Sequence, residues 1–213
     1  GKSAFYGCES LTSINIGGRV SNIGESAFYN CKNLITIETP NAVTNIGKSA
    51  FYGCESLTSI NIGGQVSNIE ESAFYNCRSL TSVTIPNSVT SIDNNAFSGC
   101  NTLTSISIGE NVSTIGKSVL KNCNSLKTIK CGGLIPPKVT NELLTDNITS
   151  DALLYANVTL ECPENARLYR TMQPWCNFIF AEDTIDAHTV DTIYIVLRDT
   201  IYNIINCIKS CNH

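Results

Sequence analysis

Residues 47–69 read GKSAFYGCESLTSINIGGQVSNI, and this stretch recurs almost unchanged at residues 1–23. The two copies differ at a single position, which is Arg19 in the first copy and Gln65 in the second. Residues 24–46 and 70–92 are close relatives of each other, which indicates that a pair of units was duplicated. Two further units with more drift occupy residues 93–115 and 116–138. Self-similarity at one strict period predicts a repeat architecture.

Columns of similar residues run through these units at a constant spacing of 23 positions. The cysteine column is Cys8, Cys31, Cys54, Cys77, Cys100 and Cys123. The aromatic column is Phe5, Phe28, Phe51, Phe74 and Phe97, with Leu120 at its end. Three aliphatic columns are Leu11, Leu34, Leu57, Leu80, Leu103 and Leu126; Val20, Val43, Val66, Val89 and Val112; and Ile23, Ile46, Ile69, Ile92 and Ile115.

One segment of each unit has the period of a β-strand. Residues 59–62 alternate polar and apolar side chains, which is typical of a strand with one buried face. Turn-forming residues such as Gly63-Gly64 and Pro86-Asn87 follow the strand and end it. The Ser-Ala-Phe-Tyr segment is too short for a long helix and predicts one irregular or helical turn on the opposite side. We therefore expect one short strand per 23-residue unit.

A single unit cannot fold alone. About seven inward side chains contribute roughly 1.5–3 kcal/mol each, or about 10–20 kcal/mol in total. Ordering the backbone of the unit costs roughly 1–2 kcal/mol per residue. The missing stability must come from neighbours, which stack their strands into a parallel sheet and their apolar columns into a continuous core.

The columns Leu-x-x-Ile-x-Ile and Ala-Phe-x-x-Cys resemble the BspA-like class of leucine-rich repeats, known from bacterial and protozoan surface proteins. The resemblance covers residues 1–130 and implies a leucine-rich-repeat solenoid of α/β-type units, with one short parallel strand in each. Residues 131–183 resemble the degenerate closing repeat of that family, because Pro136-Pro137, Cys162 and Trp175 follow its order of a Pro-Pro loop, a final strand and a Trp-containing turn. We expect a C-terminal cap there.

The resemblance implies a cell-surface or secreted protein that binds proteins or glycans on host matrix or on other cells. It supplies no catalytic residue, cofactor or metal ligand, since a solenoid scaffold does not fix its ligand. The sequence has no G-x-S-x-G, no phosphate-binding Gly-rich loop and no H-E-x-x-H. His188 and His213 are far from any nucleophile motif and are interpreted as solvated tail residues. We expect no enzymatic activity, no cofactor and no metal site.

Charge and hydropathy restrict the classes of partner. The net charge is −4 with no basic stretch, so the electrostatic signature of a nucleic-acid binder is missing. No apolar run approaches the roughly 18–20 residues that cross a bilayer. Membrane contact is therefore expected only through an anchor outside this sequence. The chain opens at Gly1 inside a repeat, which predicts a mature or trimmed fragment whose targeting signal lies upstream.

The column cysteines are predicted to be buried free thiols. Neighbouring Cβ atoms in a parallel stack stay about 4.8 Å apart or more, whereas a disulfide needs roughly 3.5–4.5 Å. Such cysteines act as small apolar residues. Some disulfide pairing in an oxidising compartment stays open for the cysteines outside the column, which are Cys131, Cys162, Cys176, Cys207 and Cys211.

Two surfaces are candidate partner-binding sites. The outward face of the predicted sheet is a polar strip of Ser13, Asn15, Thr36, Glu38, Ser59, Asn61, Ser82, Thr84, Ser105, Ser107, Thr128 and Lys130. It lacks the aromatic and arginine anchors of tight interfaces, so a solvated face is the alternative. The tyrosine ladder is Tyr6, Tyr29, Tyr52 and Tyr75, each directly after the buried Phe. It could bind a partner, or its rings could simply pack over the turns.

Residues 184–213 change character. Val190, Tyr194, Leu197, Ile201, Ile204 and Ile208 recur at spacings of four and three, the pattern of an amphipathic helix. Packing on the end of the solenoid, self-association, a membrane-surface helix and disorder all stay open for this tail. Asn111-Val112-Ser113, Asn147-Ile148-Thr149 and Asn157-Val158-Thr159 are N-glycosylation acceptors if a eukaryote exports the chain.

Two functions follow from this interpretation. The first is an adhesin whose near-identical units offer many weak, equivalent contacts that add up through avidity. The second is a structural stalk or spacer without a ligand of its own.

Overall fold

The computed structural model describes residues 1–139, 143, 158–163, 167–172, 174–175 and 178–180. In this part of the chain each 23-residue unit forms one turn of a parallel β-solenoid. The predicted leucine-rich-repeat solenoid is confirmed. The predicted tail at residues 184–213 and its amphipathic pattern lie outside the described residues.

The strands predicted from the alternating pattern line one side of the solenoid. They are β1 (Ser13–Ile14), β3 (Thr36–Glu38), β5 (Ser59–Asn61), β7 (Ser82–Thr84), β9 (Ser105–Ile108) and β11 (Thr128–Cys131). Their hydrogen bonding forms a three-stranded sheet, β1-β3-β5, and a five-stranded sheet that begins at β7. All pairs are parallel and shifted by one unit, so Ser13 lies beside Thr36 and Ser82 beside Ser105. We call this side the first face.

A second strand in each unit was not predicted. These strands are β2 (Asn22–Ile23), β4 (Asn45–Ile46), β6 (Asn68–Ile69), β8 (Ser91–Ile92), β10 (Thr114–Ile115) and β12 (Lys138–Val139), and they form one six-stranded parallel sheet. The expectation of one strand per unit is therefore corrected to two. Two residues are too few to show an alternating pattern, so only the buried isoleucine column signalled this strand.

The Ser-Ala-Phe-Tyr segment is an irregular turn, and residues 1–139 contain no helix. The serine that begins this segment has a positive φ of 52–55° in Ser3, Ser26 and Ser49. The residue four positions later also has a positive φ, which is 68° in Gly7 and 55° in Asn30. Two left-handed residues around each Ala-Phe-Tyr prevent an α-helix. The α/β type expected of the repeat is thus replaced by an all-strand unit. Among the described residues the helical element is a 3-10 turn, η1 (Arg167–Arg170).

The core consists of the predicted columns. Phenylalanine rings from successive units stack with centroids 5.1–5.2 Å apart, from Phe5 to Phe97. Leu57, Val66 and Ile69 are fully buried. Because every inward side chain contacts its equivalent in the next unit, the core is continuous along the solenoid axis.

The residues after the last unit extend the first face. β13 (Thr159–Glu161) pairs with β11, and β14 (Ile179–Phe180) pairs with β13. Trp175 is fully buried and its Nε1 donates to the Pro137 carbonyl at 2.8 Å. The Tyr169 hydroxyl donates to the Gly133 carbonyl at 3.0 Å, and the two rings meet edge-on at 5.7 Å. These contacts cover the end of the last unit with buried aromatic side chains.

Candidate functional site

The polar strip lies on the outward side of the first face. In β3, β5 and β7 one buried apolar side chain lies between two exposed residues, as Ile37 is 3% exposed between exposed Thr36 and Glu38. Parallel pairing in register places equivalent residues of successive units side by side, about 4.8 Å apart. Ser13, Asn15, Ser59, Asn61, Ser82 and Thr84 are exposed, whereas Ser105, Ser107 and Thr128 are partly buried.

The chemistry of the polar strip is mostly neutral hydrogen bonding. Its side chains are hydroxyls and amides, with Glu38 as a carboxylate near one end. At the other end Lys130 forms an ion pair with Glu161 at 3.5 Å. The strip carries no aromatic or arginine side chain in its two outward rows, so each unit offers contacts that are individually weak.

The tyrosine ladder forms as predicted. Centroids of successive rings are 4.8, 4.6 and 4.8 Å apart, with interplanar angles of 1–9°. Tyr29, Tyr52 and Tyr75 are half-buried, whereas Tyr6 is 57% exposed. Burial, with smaller contributions from Tyr29 and Tyr75, raises the pKa of Tyr52. Each inner ring uses its two faces for its neighbours, so a partner would meet ring edges and phenol hydroxyls.

The polar strip and the tyrosine ladder belong to different segments of each unit. The strip lies on the first strand, and the ladder lies in the turn that precedes this strand. Thus the structure orders each set into a row but does not merge them into one site. Whether either row binds a partner stays a prediction.

Hydroxyl ladders along the solenoid were missed in the sequence. Thr58, Thr81 and Thr104 each donate from Oγ1 to the backbone carbonyl one unit earlier, at 3.0–3.4 Å. A second ladder of Thr44, Ser67, Thr90 and Ser113 does the same beside the second sheet, at 3.2–3.3 Å. The recurrence of Ser or Thr just before most of these strands was the available signal. These hydroxyls connect neighbouring units.

The cysteine column is buried and reduced from Cys31 to Cys123, as predicted. Each of these thiols donates to a phenylalanine carbonyl of the preceding unit, as Cys54 does to Phe28 at 3.2 Å. Burial raises the pKa of Cys31 to about 11 and that of Cys123 to about 12. Such thiols stay protonated near neutral pH, and the described residues contain no His/Cys/Asp/Glu group suited to a metal ion.

Outside the column, Cys131 is a buried free thiol whose pKa burial raises to about 12. Cys176, Cys207 and Cys211 lie outside the described residues, as do His188 and His213. Of the three N-glycosylation acceptors the structure describes Asn111, which is exposed and donates from Nδ2 to the Asn87 carbonyl at 2.8 Å. A glycan on Asn111 would therefore replace a contact between units.

No helix in the described part of the chain is both long enough and apolar enough to span a membrane. A shallow pocket at the N-terminal end of the solenoid is lined by Phe5, Ile14, Val20 and Phe28 among others.

Comparison with known proteins places this geometry in a family. A model of the BspA-type leucine-rich repeat region matches six copies over residues 1–127. A leucine-rich repeat protein from T. pallidum is 32% identical with a TM-score of 0.59, over 62% of this chain and 65% of its own. A leucine-rich cell surface protein from Faecalibacterium prausnitzii is 34% identical with a TM-score of 0.55, over 57% of this chain and 32% of its own.

A third solved structure shares the fold alone. The pneumococcal vaccine antigen PcpA is 19% identical with a TM-score of 0.55, over 73% of this chain and 37% of its own. No curated protein matches the chain. The chain thus spans 65%, 32% and 37% of the three solved structures it resembles.

Proposed function

Because the chain belongs to the BspA-type leucine-rich-repeat family, we propose that it is a non-enzymatic surface or secreted protein that binds proteins or glycans of host matrix or other cells. The observation that carries this proposal is the polar strip. It is a row made mostly of hydroxyls and amides that recur along the solenoid, most of them exposed.

The spacing of the polar strip suits an extended or repetitive partner. Equivalent side chains recur about every 4.8 Å along the solenoid axis. A single hydroxyl or amide contact contributes only about 0.5–1.5 kcal/mol, so one unit binds weakly. A ligand that meets several units at once gains affinity through effective concentration without any new type of contact. Fibrous proteins and glycan chains have this geometry.

Surface or secreted localisation is supported by one structural neighbour. The Faecalibacterium prausnitzii protein is called a leucine-rich cell surface protein. The two proteins are 34% identical over a region that covers 57% of the present chain. We extend the localisation to this chain as part of the proposal.

A stalk is the second candidate function, and the lack of anchors on the polar strip favours it. A strip without aromatic or arginine side chains resembles an ordinary solvated sheet face. In that case the solenoid would hold another module at a distance and would need no ligand.

The experiment is a binding assay of the purified chain on immobilised matrix proteins, glycans and whole cells. The test variant carries Ser13→Lys, Ser59→Lys and Thr84→Lys, all at exposed positions of the polar strip. Ser13 and Ser59 lie in the same row but two units apart, and Thr84 lies in the other row, so no two new lysines are directly beside each other. Saturable binding by the wild type that falls at least about ten-fold in this variant, or about 1.4 kcal/mol, supports an adhesin.

The matched control places the same three charges on the second sheet and in the turn before it, as Asn22→Lys, Gln65→Lys and Thr114→Lys. These positions are also exposed, and they lie outside the polar strip. Equal losses in both variants would show a nonspecific charge effect and would contradict the assignment to the strip. Absence of binding to any surface by the folded wild type would favour the stalk.

A further inference from the structure

Charged side chains flank the tyrosine ladder on both sides. In the unit at residues 47–69, Phe51 and Cys54 are fully buried, whereas Lys48, Tyr52 and Glu55 keep exposed surface. Around this turn the tyrosine therefore lies between a charged residue four positions before it and another three positions after it. Repetition extends both charged positions into rows that run along the solenoid.

The signs of these charges alternate. The first charged row is Lys2, Glu25, Lys48 and Glu71, and the second charged row is Glu9, Lys32, Glu55 and Arg78. Along each row every residue is followed by one of opposite sign, and within each unit the two rows also have opposite signs. We call the tyrosine ladder together with the two charged rows the tyrosine face. Its four positive and four negative side chains cancel, so the face has no net charge.

The structure keeps these charges in register and accessible. Neighbouring residues of opposite sign form ion pairs at 2.7–2.9 Å, which are Lys2–Glu25, Lys32–Glu9 and Lys48–Glu71. The six side chains remain 45–70% exposed. Exposed pairs of this kind contribute little to folding, so they do not prevent the same charges from meeting a partner.

The alternation restricts the kind of partner that fits. A uniformly charged partner, such as a nucleic acid or an anionic membrane, is attracted by half of the charges and repelled by the other half. A complementary partner must carry two rows of alternating charges at the step of the solenoid, about 4.8 Å. The tyrosine face of a second copy of this chain carries this pattern.

Two copies are complementary when their tyrosine faces meet with the solenoid axes antiparallel. The facing residues are then Lys2 and Glu71, Glu25 and Lys48, Glu9 and Arg78, and Lys32 and Glu55. Every one of these pairs has opposite signs, and each occurs twice because a two-fold axis relates the copies. A slip by one unit along the axis sets like charges against each other. The charges therefore select one register as well as one partner.

A parallel arrangement is less complementary. It also pairs opposite charges, because the two rows of each unit then face each other. However, it places each residue at the position of the tyrosines opposite its own equivalent, and in residues 116–138 this residue is Lys121. Two lysines would thus face each other, whereas the antiparallel arrangement over residues 1–92 leaves both of them outside the overlap.

We propose that the tyrosine face is a self-association surface that binds the tyrosine face of a second copy of this chain in the antiparallel arrangement. The rings of each ladder stack on their own neighbours, so the two faces present ring edges and hydroxyls to each other. The surface is separate from the polar strip, and a failure of either proposal leaves the other standing.

The small size of the tyrosine face predicts weak pairing. Its four units span three steps, or about 14 Å, along the axis. Interfaces at the low end of the size range are transient, and we expect a Kd of roughly 0.1–1 mM. Association should weaken further in about 1 M salt, because the facing charges are exposed to solvent until they meet.

The test uses a variant in which the first charged row is inverted, through Lys2→Glu, Glu25→Lys, Lys48→Glu and Glu71→Lys. This inverted chain keeps the net charge, the composition of the row and the alternation along it. In the antiparallel arrangement the inverted chain still pairs with itself. Against the parent chain, however, the four contacts of the first row become repulsive and offset those of the second row.

The measurement is an NMR titration of the isotopically labelled parent chain with the unlabelled parent or inverted chain, up to about 1 mM. We expect binding to the inverted chain to be at least roughly ten-fold weaker than binding to the parent. Shift changes should lie at Tyr29 and Tyr52 rather than at Ser59 and Ser82 of the polar strip. The inverted chain, labelled in turn, should bind itself as tightly as the parent binds itself, which also shows that it is folded.

Three results would overturn the proposal. Lack of any association of the parent chain at about 1 mM would show that the face does not bind a second copy. Equal binding of parent and inverted chains to the labelled parent, or shift changes confined to the polar strip, would show that another surface is responsible. A folded inverted chain that does not associate with itself would rule out the antiparallel arrangement, because only parallel pairing turns all of its facing charges repulsive.

Discussion

Residues 1–23 and residues 47–69 have the same sequence at every position except Arg19 and Gln65, yet most of their apolar side chains differ in burial. Phe5 is partly buried and Cys8 is exposed, whereas their equivalents Phe51 and Cys54 are fully buried. The inner unit has neighbours on both sides, and the end unit has one. Burial in a solenoid is thus a property of position in the stack as much as of the residue.

The comparison also separates two kinds of column. Apolar columns require only that some neighbour is present. We call residues 1–23, 47–69 and 93–115 odd units and residues 24–46, 70–92 and 116–138 even units. The Gly/Asn column matches unlike neighbours, because Gly53 and Gly99 leave the space that Oδ1 of Asn30 and Oδ1 of Asn76 fill from the preceding even unit. The exposed charges alternate as well, as Lys48 pairs with Glu71. The charge part of this alternation weakens after residue 92, where Asn94 and Asn101 replace the charged residues, while Gly99 and Asn122 continue the glycine and asparagine column.

The largest contrast is expected from truncating the aromatic core at the two positions. Phe51 stacks on Phe28 and Phe74 at 5.2 Å on both sides, so Phe51→Ala should lower the free energy of unfolding by about 3–5 kcal/mol. Phe5 stacks only on Phe28 and is partly exposed, and Phe5→Ala should cost about 1–2 kcal/mol. Urea denaturation of both variants measures the difference. Equal losses would show that the end unit is as well packed as the inner one.

An intermediate contrast is expected when asparagine replaces glycine at the same column. Gly7 and Gly53 both have φ of 68°, a conformation that Asn30 also adopts at 55°. Gly53→Asn would overlap the Asn30 side chain and should cost about 1–3 kcal/mol. Gly7→Asn meets open space and should stay within about 0.5 kcal/mol. Thermal or urea unfolding provides the values, and a loss as large at Gly7 as at Gly53 would disprove the steric explanation.

A pH-dependent contrast is expected from the cysteines. Burial raises the pKa of Cys54 well above its ordinary value of 9.0. Below pH 9 the thiol is protonated in both states, so its contribution to stability is fully present. Above pH 9 the unfolded chain loses the proton first, and stability falls by about 1.4 kcal/mol per pH unit for one such thiol. The Cys54→Ala variant should therefore show a shallower decline of the urea midpoint between pH 9 and 10.5.

The exposed Cys8 is the control for that measurement. The Cys8→Ala variant should follow the pH dependence of the wild type, because no buried thiol is removed. A decline that is equally shallow in both variants would mean that the alkaline loss of stability does not come from burial of the thiol.

The smallest contrast is expected from exposed charges. Lys48 lies between Glu71 and Glu25, whereas Lys2 has only Glu25 beside it. Lys48→Glu should therefore lower the urea midpoint more than Lys2→Glu does, and the difference should shrink in 1 M salt as screening increases. A difference that persists in high salt would indicate a cause other than charge.

Much of the solenoid could be predicted from the sequence because its signals repeat. The Phe, Leu, Val, Ile and Cys columns identified the core, and the alternation at residues 59–62 identified the first strand. The second strand was missed because two residues show no period. The absence of a helix depends on the φ angles of Ser3 and Gly7, and a serine at positive φ has no clear sequence signature.

The candidate site could be predicted only in part. Alternation was enough to place Ser59 and Asn61 on the exposed side, and repetition was enough to stack Tyr29 on Tyr52. The hydroxyl ladders were missed because a threonine such as Thr81 finds its acceptor only when the previous unit is in register. The identity of a ligand is absent from such patterns, since it depends on a partner whose chemistry the solenoid does not contain.

The alternation of odd and even units has a consequence for how this array evolves. Recombination between near-identical stretches changes the number of units. A step of 46 residues keeps every contact between unlike neighbours, whereas a step of 23 residues sets two like units against each other. A change in length by whole pairs therefore preserves the fit of each glycine in the Gly/Asn column to the asparagine of the unit before it.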